Sequence, residues 1–218
     1  MDHNDNNFTI PEILDSFRIY DGEYKRDQIN AAVANKDEIT PHLIEILENA
    51  LAEPEKYAEN EHLYDHIYAV MLLGHFKEPK SHKVIVDLFS LPDDLPDQMF
   101  GDLGTSSLPV VLSNTCGGSV ELIKSMILNK KIDDYCRVSA CHALAYAVVE
   151  GYVSRESVIE FFSNHVQGKR IWRNINLWKQ WKKGYRLQPF MSHPMAQQGK
   201  RLRRWRRHSQ NVGCHQMF

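Results

Sequence analysis

Apolar residues recur at intervals of three and four from about residue 11 to residue 165, and the two-residue alternation of a half-buried strand is weak throughout. That periodicity constrains the chain to helices. The clearest begins at "TPHLIEILENALA", where Thr40 is expected to cap, Pro41 to occupy the first turn, and Leu43, Ile44, Ile46, Leu47, Ala50 and Leu51 to form one apolar face. A second is expected from near Glu61 to just before Pro79, with Leu63, Ile67, Val70, Met71 and Gly74 inward. "SHKVIVDLFSL" follows with Val84, Ile85, Leu88 and Phe89, and the loop "LPDDLPD" is expected to end it.

"SVELIKSMIL" predicts a fourth helix capped by Ser119, with Leu122, Ile123, Met126 and Ile127 inward. "DDYCRVSACHALAYAVVEGY" predicts a fifth, with Val138, Cys141, Leu144, Ala145 and Val148 on one stripe and Gly151 at its end. In "SRESVIEFFSNHV" Ser154 is the expected cap, Ser157 stands where a capping box wants Glu or Gln, and Val158, Ile159 and Phe162 face inward. Weaker helical patterns cover Pro11–Phe17, Lys25–Ala34 and Ser107–Ser113. Two helices resemble each other: Ala69, Leu73 and Gly74 in one match Ala140, Leu144 and Ala145 in the other, 71 residues apart. That offset is about two helical hairpins, so the expected fold is all-α, a HEAT-like α-solenoid of stacked antiparallel helix pairs.

Charge divides the chain. Residues 1–167 hold 13 basic and 28 acidic side chains, a net of −15, whereas residues 168–218 hold 13 basic side chains and no acid. The expected organisation is a flexible N-terminus over 1–10, the helical-repeat domain over 11–167, and a poorly ordered Trp/Arg-rich basic tail over 168–218. The N-terminus "MDHNDNNFTI" lacks the character of a signal peptide, "YAVMLLG" is too short to span a bilayer, and the four cysteines form no C-x-C or C-x-x-C pair. A cytoplasmic protein without a transmembrane segment is expected.

The segments "DEITPHLIEILENALA", "HLYDHIYAVMLLGHFKEPKSHKVIVDLFSLP" and "DDYCRVSACHALAYAVVEGYVSRESVIEFF" are similar to the bacterial family catalogued as domain of unknown function 1186, from about Ile13 to Gln167. The resemblance lies in scaffold residues, and it implies a bacterial helical-repeat protein with no defined activity. Some members of that family end in a cysteine-rich zinc motif of the SEC-C type. Here only Cys214-His215 matches part of such a motif, so no zinc site is carried over.

Enzyme chemistry finds little footing. His62 and His66 are expected one helical turn apart, but Leu63 stands where a zinc protease places its Glu, and no His-Glu dipeptide occurs in the chain. Cys141 falls on the apolar stripe, and neighbouring helical residues such as Cys141 and His142 diverge by about 100°. "GDLGTSS" has neither a Lys nor a preceding strand to make a phosphate loop. Asp93, Asp94 and Asp97 are expected in a solvated loop, and Tyr57, Tyr64 and Tyr68 in inter-repeat packing. No catalytic residue, metal ligand or cofactor is therefore assigned.

The expected function is a non-enzymatic module that binds an unknown protein partner along its concave face; the acidic body either suits a basic partner or is simply a solvated surface. The alternative is RNA binding through Lys182, Lys183, Arg201, Arg203, Arg204, Arg206 and Arg207 of the tail, with tryptophans stacking on bases. A third reading concerns the tail's origin. Every tryptophan precedes a basic residue: Trp172-Arg173, Trp178-Lys179, Trp181-Lys182 and Trp205-Arg206. TGG followed by AAA or AAG reads, in a shifted frame, as Met, Leu or Val followed by Glu. A frameshifted ending from about residue 168 would replace an acidic amphipathic helix.

Overall fold

The backbone N–H and hydroxyl of Thr9 both donate to Glu12 Oε2 at 2.8 Å, which fixes the first helix, α1, at Ile10–Arg18. The computed structural model describes residues 8–165, and every described residue belongs to the first of two units of the chain, Met1–Trp172 and Arg173–Phe218. The helices after α1 are α2 (Arg26–Ala34), α3 (Lys36–Ala52), α4 (Pro54–Glu59), α5 (Asp65–Phe76), α6 (His82–Leu88), α7 (Leu95–Phe100), α8 (Leu103–Ser106), α9 (Leu108–Thr115), α10 (Glu121–Leu128), α11 (Asp134–Val149) and α12 (Arg155–His165). A short 3₁₀ turn, Pro79–Ser81, leads into α6. Among the described residues there is no strand, only an isolated antiparallel bridge between Ile19 and Leu63. The fold is all-α.

Packing follows a chain of neighbours. Helix α3 lies on α5, α5 on α9, α9 on α11 and α11 on α10, while α6 touches α3, α9 and α10. The core runs through this row, with Leu43 and Leu47 of α3, Leu72 and Leu73 of α5, Leu112 of α9 and Leu144 of α11 fully buried. Each such side chain contributes about 1.5–3 kcal/mol. Small residues set the spacing where helices meet. A Cβ on Gly74 would lie 2.8 Å from Val111 Cγ2, so α5 and α9 approach as closely as a bare Cα permits. Ala140, Ala143 and Ala147 play the same part on α11, all with no exposed surface.

Several helix boundaries differ from those expected. Helix α3 begins a turn earlier, because the Asn35 carbonyl already accepts from Glu38 and Ile39. Thr40 is no cap: its hydroxyl donates back to Lys36 O at 2.7 Å, and Pro41 lies inside the helix. Helix α5 begins at Asp65, not near Glu61, since residues 60–64 form the turn that meets α1 through Tyr64 N–H to Arg18 O. "LPDDLPD" does not remain a loop. Pro96 sits in the first turn of α7, a position that proline favours. Helix α10 follows Val120, and the Ser119 side chain caps nothing.

Other boundaries match expectation. Ser154 Oγ accepts from Ser157 N–H at 3.1 Å, and Gly151, at φ 78°, closes α11 with its N–H on Val148 O. The apolar stripes need more correction. Helix α5 buries Ala69, Leu72 and Phe76 as well as Val70 and Gly74, and α11 buries Cys136, Ser139 and Ala143 while Val138 and Val148 are half-buried. Both helices have neighbours on more than one side, so a single stripe under-reads them. Leu122 and Ile159, expected inward, are exposed by 37% and 43%.

Candidate functional site

Two surface features gather charged side chains from separate stretches of sequence. The first is a corner built by α7, α8 and the start of α11. Helix α8 is fixed on α11 by Ser139 Oγ donating to Gly104 O at 2.7 Å, and Asp133 caps α11 by accepting from Tyr135 and Cys136 N–H. Asp94, Asp97, Asp102 and Asp133 converge there. Partial burial, and then the negative charges of Asp133, Asp102 and Asp94, hold the Asp97 carboxyl above its usual range. None of these four carboxylates forms an ion pair among the described residues. Tyr135 projects beside them with 68% of its surface exposed, the most exposed of the large apolar side chains described.

The second is a recess of about 390 Å³ at the ends of α1 and α3, along α4 and before α5. Arg18, Asn49, Glu53, Lys56, Tyr57 and Asp65 line it, with Ala52 and Leu63 as its apolar surface. Lys56 Nζ pairs with Glu53 Oε2 at 2.6 Å. Burial, then Asp65 and Glu53, push the Tyr57 hydroxyl up to about 12 against the opposing pull of Arg18, so it remains a donor. Behind the wall, His66 lies edge-on to Tyr57 with centroids 5.0 Å apart and is 1% exposed.

The His66 ring resolves the expected histidine pair. His62 is exposed in the turn ahead of α5, so the two are not on one helix face. His66 Nε2–H donates to Met99 O at 2.9 Å, which leaves Nδ1 bare, buried and 3.7 Å from Asp65 Oδ1. Among the described residues no three His, Cys, Asp or Glu side chains come together as metal ligands.

The thiols are core groups. Burial pushes Cys136 and Cys141 up to about 12, Cys136 with added repulsion from Asp133 and Asp97. Neither supplies a thiolate near neutral pH. "GDLGTSS" forms α8, with Leu103 and Gly104 buried. Tyr68 stacks on Phe17 at 4.4 Å and Tyr64 on Tyr20 at 4.6 Å, which is packing between α1 and the region of α5, whereas Tyr57 lines the recess. Lys182, Lys183, Arg201, Arg203, Arg204, Arg206 and Arg207 lie outside the described residues, as does the proposed frame boundary near 168. No helix among the described residues is long and apolar enough to cross a membrane.

The comparisons with known proteins identify a family. A family model described as "Protein of unknown function (DUF1186)" matches residues 8–180, reaching further at both ends than the span from 13 to 167. Uncharacterized proteins of Chlamydia trachomatis serovar D and of Chlamydia muridarum are each 31% identical over 153 residues, which is 70% of this chain and 61% of the relative. The match thus spans about three fifths of the length of those relatives. No solved structure matches.

Proposed function

The chain belongs to the family described as Protein of unknown function (DUF1186), and from that premise we propose that it is a non-enzymatic protein-binding module. Its scaffold is a HEAT-like α-solenoid of stacked antiparallel helix pairs, and its partner presents a basic segment to the corner of α7, α8 and α11. The observation that carries this reading is the convergence of Asp94, Asp97, Asp102 and Asp133 without a cation to neutralise them. Like charges held together cost stability, and a basic partner relieves that cost on binding. Tyr135 adds an amphipathic aromatic contact of the kind enriched at interfaces. The wider charge of residues 8–165, 26 acidic against 13 basic side chains, steers such a partner from a distance. The free, buried state of Cys116, Cys136 and Cys141 supports a reducing, cytoplasmic setting.

The test is affinity capture from the native host in parallel with a D94N/D97N/D102N/D133N variant. Asn at 133 retains a capping oxygen, so α11 keeps its start. The reading expects a protein that the parent chain holds, that raised salt releases, and that the variant loses. A set of captured proteins that is the same for both chains overturns it.

A second reading rests on the other charge block. Residues 168–218, with 13 basic side chains and no acid, would neutralise phosphates and bind RNA with a steep salt dependence. A gel shift with the full chain and a 1–167 truncation separates the two. Loss of the shift on truncation supports the RNA reading, and no shift by either chain sinks it.

A further inference from the structure

The recess beside α4 takes no part in the reading above, and its charges have an unusual balance. Lys56 and Glu53 neutralise each other at 2.6 Å. Arg18 and Asp65 do not: neither forms an ion pair with the other, and the guanidinium has no hydrogen-bond partner among the described residues. The nearest basic nitrogen to Asp65 is His66 Nδ1 at 3.7 Å, beyond hydrogen-bond reach, while the ring's Nε2–H is used on Met99 O. Asp65 is only 14% exposed in its side chain, and its Oδ1 accepts from the His66 backbone N–H at 2.8 Å, with no lysine or arginine in ion-pair range.

One recess therefore presents a guanidinium without a hydrogen-bond partner and a carboxylate that no lysine or arginine neutralises. Arg18 offers a planar fork that matches a carboxylate, and the Tyr57 hydroxyl is a further donor. Asp65 accepts from an ammonium. Ala52 and Leu63 add apolar surface to the same recess. The volume of about 390 Å³ lies at the small end of ligand pockets. We propose that this recess binds a small zwitterion, of amino-acid to dipeptide size, with its carboxylate on Arg18 and its ammonium on Asp65.

The experiment is saturation-transfer NMR on the full chain at low ionic strength, with the free L-amino acids and dialanine as probes. Binders are then titrated by calorimetry together with their N-acetyl and C-amide forms. The expected result is at least one zwitterion bound in the millimolar range or tighter. Arg18→Gln weakens it about tenfold, as loss of a charge-assisted contact does. Asp65→Asn weakens it by a similar factor while keeping an oxygen for the His66 N–H, and blocking the amine abolishes binding to the parent chain. Lys83→Gln, which breaks an exposed ion pair with Asp87 on α6 and touches no residue of the recess, changes affinity less than about twofold. Melting curves check that the variants remain folded; Arg18 is exposed, so its replacement leaves the core intact. The proposal is overturned if no probe binds below about 10 mM, or if binding survives both Arg18→Gln and Asp65→Asn.

Discussion

Gly74 is the residue on which the contact between α5 and α9 turns. Alanine there would gain about 1 kcal/mol of helix propensity, but its Cβ would meet the stiff, branched Val111 at 2.8 Å. Overpacking of this kind costs about 1–3 kcal/mol, so Gly74→Ala should destabilise the chain, and the same change in a Val111→Ala background should stabilise it. Urea unfolding of the four chains in the cycle checks that reversal of sign. His82 carries a second prediction. Its Nδ1–H donates to Thr115 Oγ1 at 2.9 Å, that hydroxyl donates to Val111 O, and Nε2 is buried without a partner. Burial lowers its pKa to about 4, below the ordinary value near 6.5. The unfolded chain therefore takes up the proton first as pH falls, and stability is lost between about 6.5 and 4, by up to roughly 3 kcal/mol. Compared with His82→Gln, the parent chain should show the steeper decline in unfolding free energy from pH 7 to pH 4.5. Nothing in "PKSHKV" marked this histidine, because its burial depends on Thr115, 33 residues further on.

At the scale of elements, the existence of the helices was legible and many of their starts were not. The spacing of Leu43 and Leu47, or of Ile123, Met126 and Ile127, locates a buried face directly. Starts failed where a proline or serine was given a fixed meaning. Pro96 reads as a breaker but opens α7, and Ser119 reads as a cap while the buried Val120 places α10. Helices α5 and α11 lost their stripes because neighbours cover them on several sides, so burial there has no single period. The acidic corner was half legible, since "LPDDLPD" shows its acids but not the arrival of Asp133 from the cap of α11. The recess was illegible, because Arg18, Glu53 and Asp65 sit on separate elements with no motif between them. The corner predicts its own energetics. Asp97 is raised in the folded chain, so its charge opposes folding at pH 7 and ceases to do so as pH falls through its folded pKa. Asp97→Asn should therefore stabilise the chain at pH 7, by a few tenths of a kcal/mol given its solvent exposure, and lose that advantage near pH 3. Thermal unfolding of both chains at the two pH values tests this. A charge that weakens the fold is the pattern expected of a binding surface.

The whole molecule is a helical body of net negative charge followed by a basic segment, and the family match from residue 8 to residue 180 covers all the described helices. The all-α class was legible in the three- and four-residue spacing of apolar side chains, and the family in segments such as "HLYDHIYAVMLLGHFKEPKSHKVIVDLFSLP", whose Ala69, Leu73 and Gly74 have an echo at Ala140, Leu144 and Ala145. Such small residues on packed helices belong to the scaffold and leave the partner unspecified. The central claim is that a basic protein docks at the corner of α7, α8 and α11. Zero-length carbodiimide cross-linking of the full chain in the native host, followed by mass spectrometry, tests it most directly, because the reagent joins carboxylates to amines already in contact. The account predicts links from Asp94, Asp97, Asp102 or Asp133 to lysines of another protein, absent after brief exposure to high salt. Cross-links to other proteins that leave these four aspartates untouched would contradict it.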